Sequence, residues 1–189
     1  MSSKIDIKEI VLGHFGTLSK VDGGWSWYDF LTFCFVPVLF AAGSIAAAFS
    51  LNKDIASLLV NFGAIFTALL LSVLVLVYDQ ESKIDDKYQR DKELGRALDA
   101  FYSAKKKLLD ELYYNISYSI LSSLVLIAIC FAFSIADSFA DPKATTATVS
   151  NLLSKVVFTP LAVLVTVNLL LTIVMIVKRL HSLLRMKAL

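Results

Sequence analysis

The stretch "IASLLVNFGAIFTALLLSVLVLVY", Ile55 to Tyr78, runs for 24 residues without a charge. About 20 such residues cross a hydrocarbon layer roughly 30 Å thick, so the segment reads as a membrane-spanning helix. It lacks the alternation of a barrel strand, and a helix satisfies its own backbone hydrogen bonds where water is absent. Three more charge-free runs surround it: Phe30 to Leu51, Asn115 to Ala136 and Val156 to Val177. Of the 189 residues, 57% are hydrophobic and only 18% charged, with a mean hydropathy of +0.71. An ordinary soluble domain is far more polar. The expected fold is all-α: a polytopic membrane protein whose four transmembrane helices form two hairpins, with a long cytoplasmic helical hairpin between helices 2 and 3.

Outward from that stretch, the chain divides into an N-terminal arm (1–29), a first hairpin (30–78), a charged passage (79–114), a second hairpin (115–177) with an outer loop (137–155), and a basic tail (178–189). The first hairpin turns through "LNKD", Leu51 to Asp54. A link that short makes its two helices antiparallel neighbours, with Asn52 or Asp54 available to cap the second. "GWSWYDF" reads as an aromatic belt at the first membrane entry, with Asp29 as a cap, and "GHFGTLSKVDGG" as a flexible arm. A cleavable signal is not expected, because the first apolar run is too long and follows a polar arm.

Charge sets the orientation. Fifteen of the 18 basic residues lie in the arm, the charged passage and the tail, leaving Lys53, Lys143 and Lys155 for the two other loops. By the positive-inside rule both termini and the central passage are cytoplasmic. A net charge of +2 gives no reason to expect nucleic-acid binding.

The central passage is rich in good helix formers and has no proline. Ile84, Tyr88, Leu98, Tyr102, Leu109 and Leu112 recur near a heptad spacing, interrupted at Asp91, Gly95 and Lys105. Two helical arms of about 15 residues, turning around Glu93 to Arg96, would project roughly 20–25 Å. Such a stalk either only orders the bundle or touches a partner. Nine acidic residues against eight basic ones suit mixed ionic contacts better than a lipid clamp. The candidate partner-binding residues are Arg90, Lys92, Arg96, Lys105, Lys106 and Lys107. The three lysines could equally face lipid headgroups or serve only to set topology.

Within the spans, small and weakly polar residues form stripes at helical spacing: Asp29, Thr32, Gly43, Ala47, Ser50 and Asp54 on the first, and Ser57, Asn61, Ala64, Ala68, Ser72 and Asp79 on the second. Asn115, Ser119, Ser122, Ser123, Cys130, Ser134 and Asp137 share a face of the third, while on the fourth Asn168 and Thr172 face away from Thr159 and Thr166. Such residues let helices approach closely or line a watery path. Gly43, Ala47, Asn61, Ser72, Ser119, Ser122 and Asn168 are therefore candidates for packing or pore lining, Asn61 and Ser72 foremost for a pore. Pro37 and Pro160 can kink their helices.

Catalytic chemistry is not legible. His14 and His181 are far apart, no zinc, phosphate-loop or nucleophile-elbow spacing occurs, and no span has a central charge. Neither an enzyme nor a cofactor is expected.

"FGTLSKVDGGWSWYDFLTFCFVPVLF" and "NFGAIFTALLLSVLVLVYDQ" resemble passages in small four-span membrane proteins of bacterial antiviral defence systems, such as the membrane subunit of Kiwa. The resemblance covers roughly residues 13 to 80 and transfers no catalytic residue. It implies an inner-membrane component that senses infection and holds a soluble partner, or one that injures the membrane as an effector. The expectation is an oligomeric scaffold or sensor in the lipid bilayer, docking a soluble cytoplasmic protein; the alternative is a pore-forming effector.

Overall fold

The computed structural model describes residues 7–18, 27–139 and 152–187. Five α-helices carry the fold: α1 (Ile7–Gly16), α2 (Trp27–Ala46), α3 (Lys53–Glu93), α4 (Tyr102–Ser138) and α5 (Thr159–Lys187). A π-type turn, Ser154–Phe158, leads into α5. No strand occurs among the described residues. Four helical stretches are long and apolar enough to cross a membrane: Trp27–Ala46, Lys53–Glu93, Tyr102–Ser138 and Ser154–Arg185. The outward apolar side chains of α2 and α3, among them Phe35, Leu39, Leu58 and Leu69, suit lipid.

α4 is the central helix. α3 and α5 both pack on it, α1 sits against it at Tyr114, Asn115 and Tyr118, and α2 packs on α5. Leu51, Ala56, Leu126, Cys130, Phe133 and Ala162 form the core at one end. Leu70, Val77, Leu109, Leu112, Ile116 and Ile176 form it toward the charged end. At 1.5 Å per residue the 41 residues of α3 extend roughly 60 Å, about twice a hydrocarbon core. Its Asp79–Glu93 portion therefore continues past the apolar part, beside the start of α4.

The first span ends earlier than its apolar run suggests. Ala48 takes φ +51°, its N–H donates to the Ile45 carbonyl, and the Phe49 N–H reaches the Ser44 carbonyl. This is a Schellman ending with alanine where glycine is usual. Ser50 and Asp54 thus do not continue the meridian of Gly43 and Ala47. Beyond the turn the chain is pinned to the start of the fourth span: the Leu51 N–H donates to Thr159 Oγ1 at 2.8 Å, and Ser50 Oγ lies 3.2 Å from Ser154 Oγ. Thr159 Oγ1 in turn donates to the Ser154 carbonyl, just ahead of Pro160, which has no N–H to give.

That pinning corrects the expected neighbours. A short link ought to lay α2 against α3, but the link docks on α5, so α2 lies along α5 and makes at most glancing contact with α3. Asn52 caps α3 by accepting from the Ile55 N–H, as the capping pattern anticipates. Asp29 lies in the first turn of α2 rather than ahead of it.

Candidate functional site

Two places concentrate polar chemistry: the seat of α1 on the bundle, and the tip of the charged extension.

Sequence reading gives residues 13–24 as a flexible arm. Residues 19–24 lie outside the described residues, but Gly13 to Leu18 are seated. Gly13 permits this, because a Cβ there would run into the Tyr114 ring. His14 is fully buried and stacks on Tyr118, with ring centroids 3.8 Å apart and planes parallel. Its Nδ1 lies 2.7 Å from Oδ1 of Asn115, which is also fully buried. With that oxygen as acceptor, the ring proton sits on Nδ1. The Thr17 hydroxyl lies 2.7 Å from the His14 carbonyl and 2.9 Å from Asn115 Oδ1.

Arg179 closes the seat. Its guanidinium donates to the Thr17 carbonyl at 2.8 Å and meets the Glu111 carboxylate at 3.3 Å. A cation at the end of α1 also suits the negative pole of that helix. Burial holds the His14 imidazole down to about 4; the Asn115 hydrogen bond works in the opposite direction and nearby Arg179 in the same one. Among the described residues neither His14 Nε2 nor Asn115 Nδ2 has a hydrogen-bond partner. Nothing in the sequence spacing joins His14 to Asn115, 101 positions away; the available clue is a histidine in the otherwise apolar run Ile10 to Gly16.

Beside this seat lies a cleft of about 450 Å³ between α2 and α4, over α5. Phe33, Cys34 and Pro37 form one wall, Tyr118, Ser122 and Val125 the other, and Leu164, Val165 and Asn168 the floor; Val11 and Phe15 of α1 close its end.

The intramembrane candidates separate by what they touch. Ser119 and Ser122 are buried on α4; Ser119 Oγ donates to the Asn115 carbonyl, and Ser122 borders the cleft. Asn168 Nδ2 donates to the Phe33 carbonyl at 3.2 Å while its Oδ1 accepts from the Tyr118 hydroxyl at 2.9 Å. Gly43, Ala47, Asn61 and Ser72 point away from the bundle. Ser72 donates to the Ala68 carbonyl of its own helix, and the Asn61 side chain makes no hydrogen bond to any of the described residues.

At the charged end, α3 closes on Gly95, φ +62°, with the Gly95 N–H on the Lys92 carbonyl and the Arg96 N–H on Asp91. Only glycine takes that conformation without strain. The turn is longer than the expected Glu93 to Arg96, because α4 begins only at Tyr102. Tyr88 stacks on Tyr102 at 4.0 Å, and the Tyr102 hydroxyl and Lys106 ammonium both donate to Asp85. Lys105 bonds Asp99 at 2.7 Å.

The basic candidates therefore divide. Lys105 and Lys106 are held by aspartates within the chain, whereas Arg90, Lys92 and Arg96 are exposed around the tip, as is Lys107 farther down α4. Among the first three stand Leu94, Leu98 and Phe101, exposed to 57%, 46% and 48%. Leu98, which the heptad reading places in a seam, belongs to this outer patch. Below the tip an apolar groove of about 390 Å³, lined by Leu76, Ile84, Tyr88, Leu109, Leu180 and Leu183 among others, runs between α3, α4 and the end of α5.

Compared with protein-family profiles, curated proteins and solved structures, the chain matches none.

Proposed function

We propose that the protein is a non-enzymatic membrane scaffold or sensor that docks a soluble cytoplasmic partner through the tip of its α3–α4 extension. The observation that carries this reading is the tip itself. Leu94, Leu98 and Phe101 are exposed among Arg90, Lys92 and Arg96, at the end farthest from the apolar spans. A hairpin that merely ordered the bundle would gain nothing from three large apolar side chains in water. Apolar anchors ringed by arginine are what a binding surface uses, and an acidic rim on the partner would complement them. Lys105 and Lys106 serve the stalk's own rigidity in this reading.

Cytoplasmic placement of the tip and both termini follows from the charge distribution. Oligomerisation is supported by Asn61, whose unpartnered amide on the outer face of α3 would be costly against lipid and is relieved by a neighbouring copy. A role in antiviral defence rests on the resemblance of residues 13 to 80 alone, and no comparison adds to it. A photocrosslinking residue at Leu98 tests the docking: it is expected to trap a soluble protein that the same probe at Leu58, on the apolar part of α3, does not. Equal capture from both positions, or none from Leu98, would remove the tip from the proposal.

The second reading, a pore-forming effector, draws on one observation. Ser57, Asn61, Ala64, Ala68 and Ser72 all lie on the outward face of α3, where an oligomer could gather them around a path. Asn61→Leu combined with Ser72→Leu would abolish a triggered conductance if that face lines it. Docking through the tip would be untouched.

A further inference from the structure

One ring stands at the centre of the seat that holds α1 on the bundle. His14 is fully buried, stacked on Tyr118 and edge-on to Phe15 and Phe33. Its Nδ1–H has an acceptor in Asn115; its Nε2 faces no protein acceptor. An imidazolium has two N–H groups, so the second would be buried without a partner, and a buried unpaired charge is among the costliest arrangements in a protein.

Among the described residues the surroundings offer no free counter-charge. From α4 the ring is approached by Tyr114, Tyr118 and Glu111, but the Glu111 carboxylate already pairs with Arg179 at 3.3 Å. From α5 comes Arg179 itself, a like charge. α2 contributes Cys34, beside Tyr118, and Asp29, whose charge acts on Arg179. On α1, Lys8 and Glu9 stand exposed more than a turn away. α1 in turn ends the cleft between α2 and α4 through Val11 and Phe15.

We infer that α1 is a detachable lid on that cleft, held while His14 is uncharged and released when His14 takes up a proton. This does not depend on what the stalk tip binds. The sign follows from the ring. Its value near 4 when seated, against an ordinary 6.5 when released, means the docked form is fully favoured above pH 6.5. It weakens as pH falls toward 4 and changes no further below. Those values correspond to a shift in the docked-to-released ratio of up to ~300-fold.

The test uses the full chain in nanodiscs with Cys34→Ala and Cys130→Ala, carrying spin labels at Leu12→Cys and Leu58→Cys. One narrow distance distribution is expected at pH 7.5, and a second, broader population at pH 4.5. His14→Gln, which cannot be protonated, should keep the narrow distribution at both values. Asn115→Asp, which sets a carboxylate against the ring, should hold the lid shut at pH 4.5 in a chain that retains His14. A His14 ring titration by NMR reads the same event directly, and a docked chain with a protonated ring would overturn the inference. So would acid release that persists unchanged in both variants.

Discussion

The side-chain amide of Asn168 donates to the Phe33 carbonyl, the one carbonyl in α2 that Pro37, four residues on, leaves without its helical N–H. A proline in one span and an asparagine in another thus form a single device, completed by Tyr118 on Asn168 Oδ1. Neither residue needs a gating role to explain its presence. Asn168→Leu is expected to cost about 1–3 kcal/mol by orphaning a buried carbonyl. In a Pro37→Ala background, where the helical bond is restored, the same change should cost markedly less. A double-mutant cycle on unfolding in mixed micelles measures the difference, and strict additivity would refute the pairing.

Gly13 is needed for contact rather than for backbone freedom, since the space of its missing side chain is filled by the Tyr114 ring. Gly13→Ala should unseat α1 and raise amide exchange across Ile7–Gly16 by tenfold or more, taking a loss of about 1.4 kcal/mol as the minimum for such a clash. Gly16→Ala meets nothing within 4 Å and should leave exchange unchanged or slower. Similar exchange in the two variants would mean the seat does not hold α1.

Ala48 occupies a left-handed conformation at the end of α2. Ala48→Gly should stabilise the fold by about 1 kcal/mol, and Ala48→Val should destabilise it by at least as much. Thermal unfolding in one detergent ranks the three chains; any other order would displace the turn.

At the tip, the Lys105 ammonium and then the Phe101 N–H hold the Asp99 carboxyl below the usual carboxylate range. The stabilisation from this pair is present above the ordinary value of 3.8 and is lost as pH falls through the lowered one. Because the pair is partly exposed, it is worth under about 1 kcal/mol. Lys105→Gln should raise the Asp99 midpoint toward 3.8 in a carboxyl NMR titration. An unchanged midpoint would contradict the contact.

Hydropathy made the four apolar stretches legible because lipid imposes a length and forbids charge, and local chemistry narrowed the cap of α3 to Asn52 or Asp54, of which Asn52 serves. What stayed hidden depends on residues far apart. The end of α2 was missed because Ala48 carries no stop signal inside an apolar run. The placement of α2 on α5 turns on Leu51 reaching Thr159 across 108 positions. The seat of α1 was missed for the same reason: His14, Asn115 and Arg179 are unremarkable singly and meet only in the folded chain. The charged passage suggested a stalk, yet composition could not separate Arg90, Lys92 and Arg96, exposed around the tip, from Lys105 and Lys106, which aspartates hold.

The docking claim is tested most directly by purifying the full chain from its native host in mild detergent, beside a chain carrying Leu94→Ser, Leu98→Ser, Phe101→Ser and Arg90, Lys92 and Arg96 each changed to Glu. The expected result is a soluble protein held at fixed stoichiometry by the first chain and lost from the second, with both chains giving the same membrane-embedded particle. A particle of identical composition from both, with or without another protein, would contradict the account.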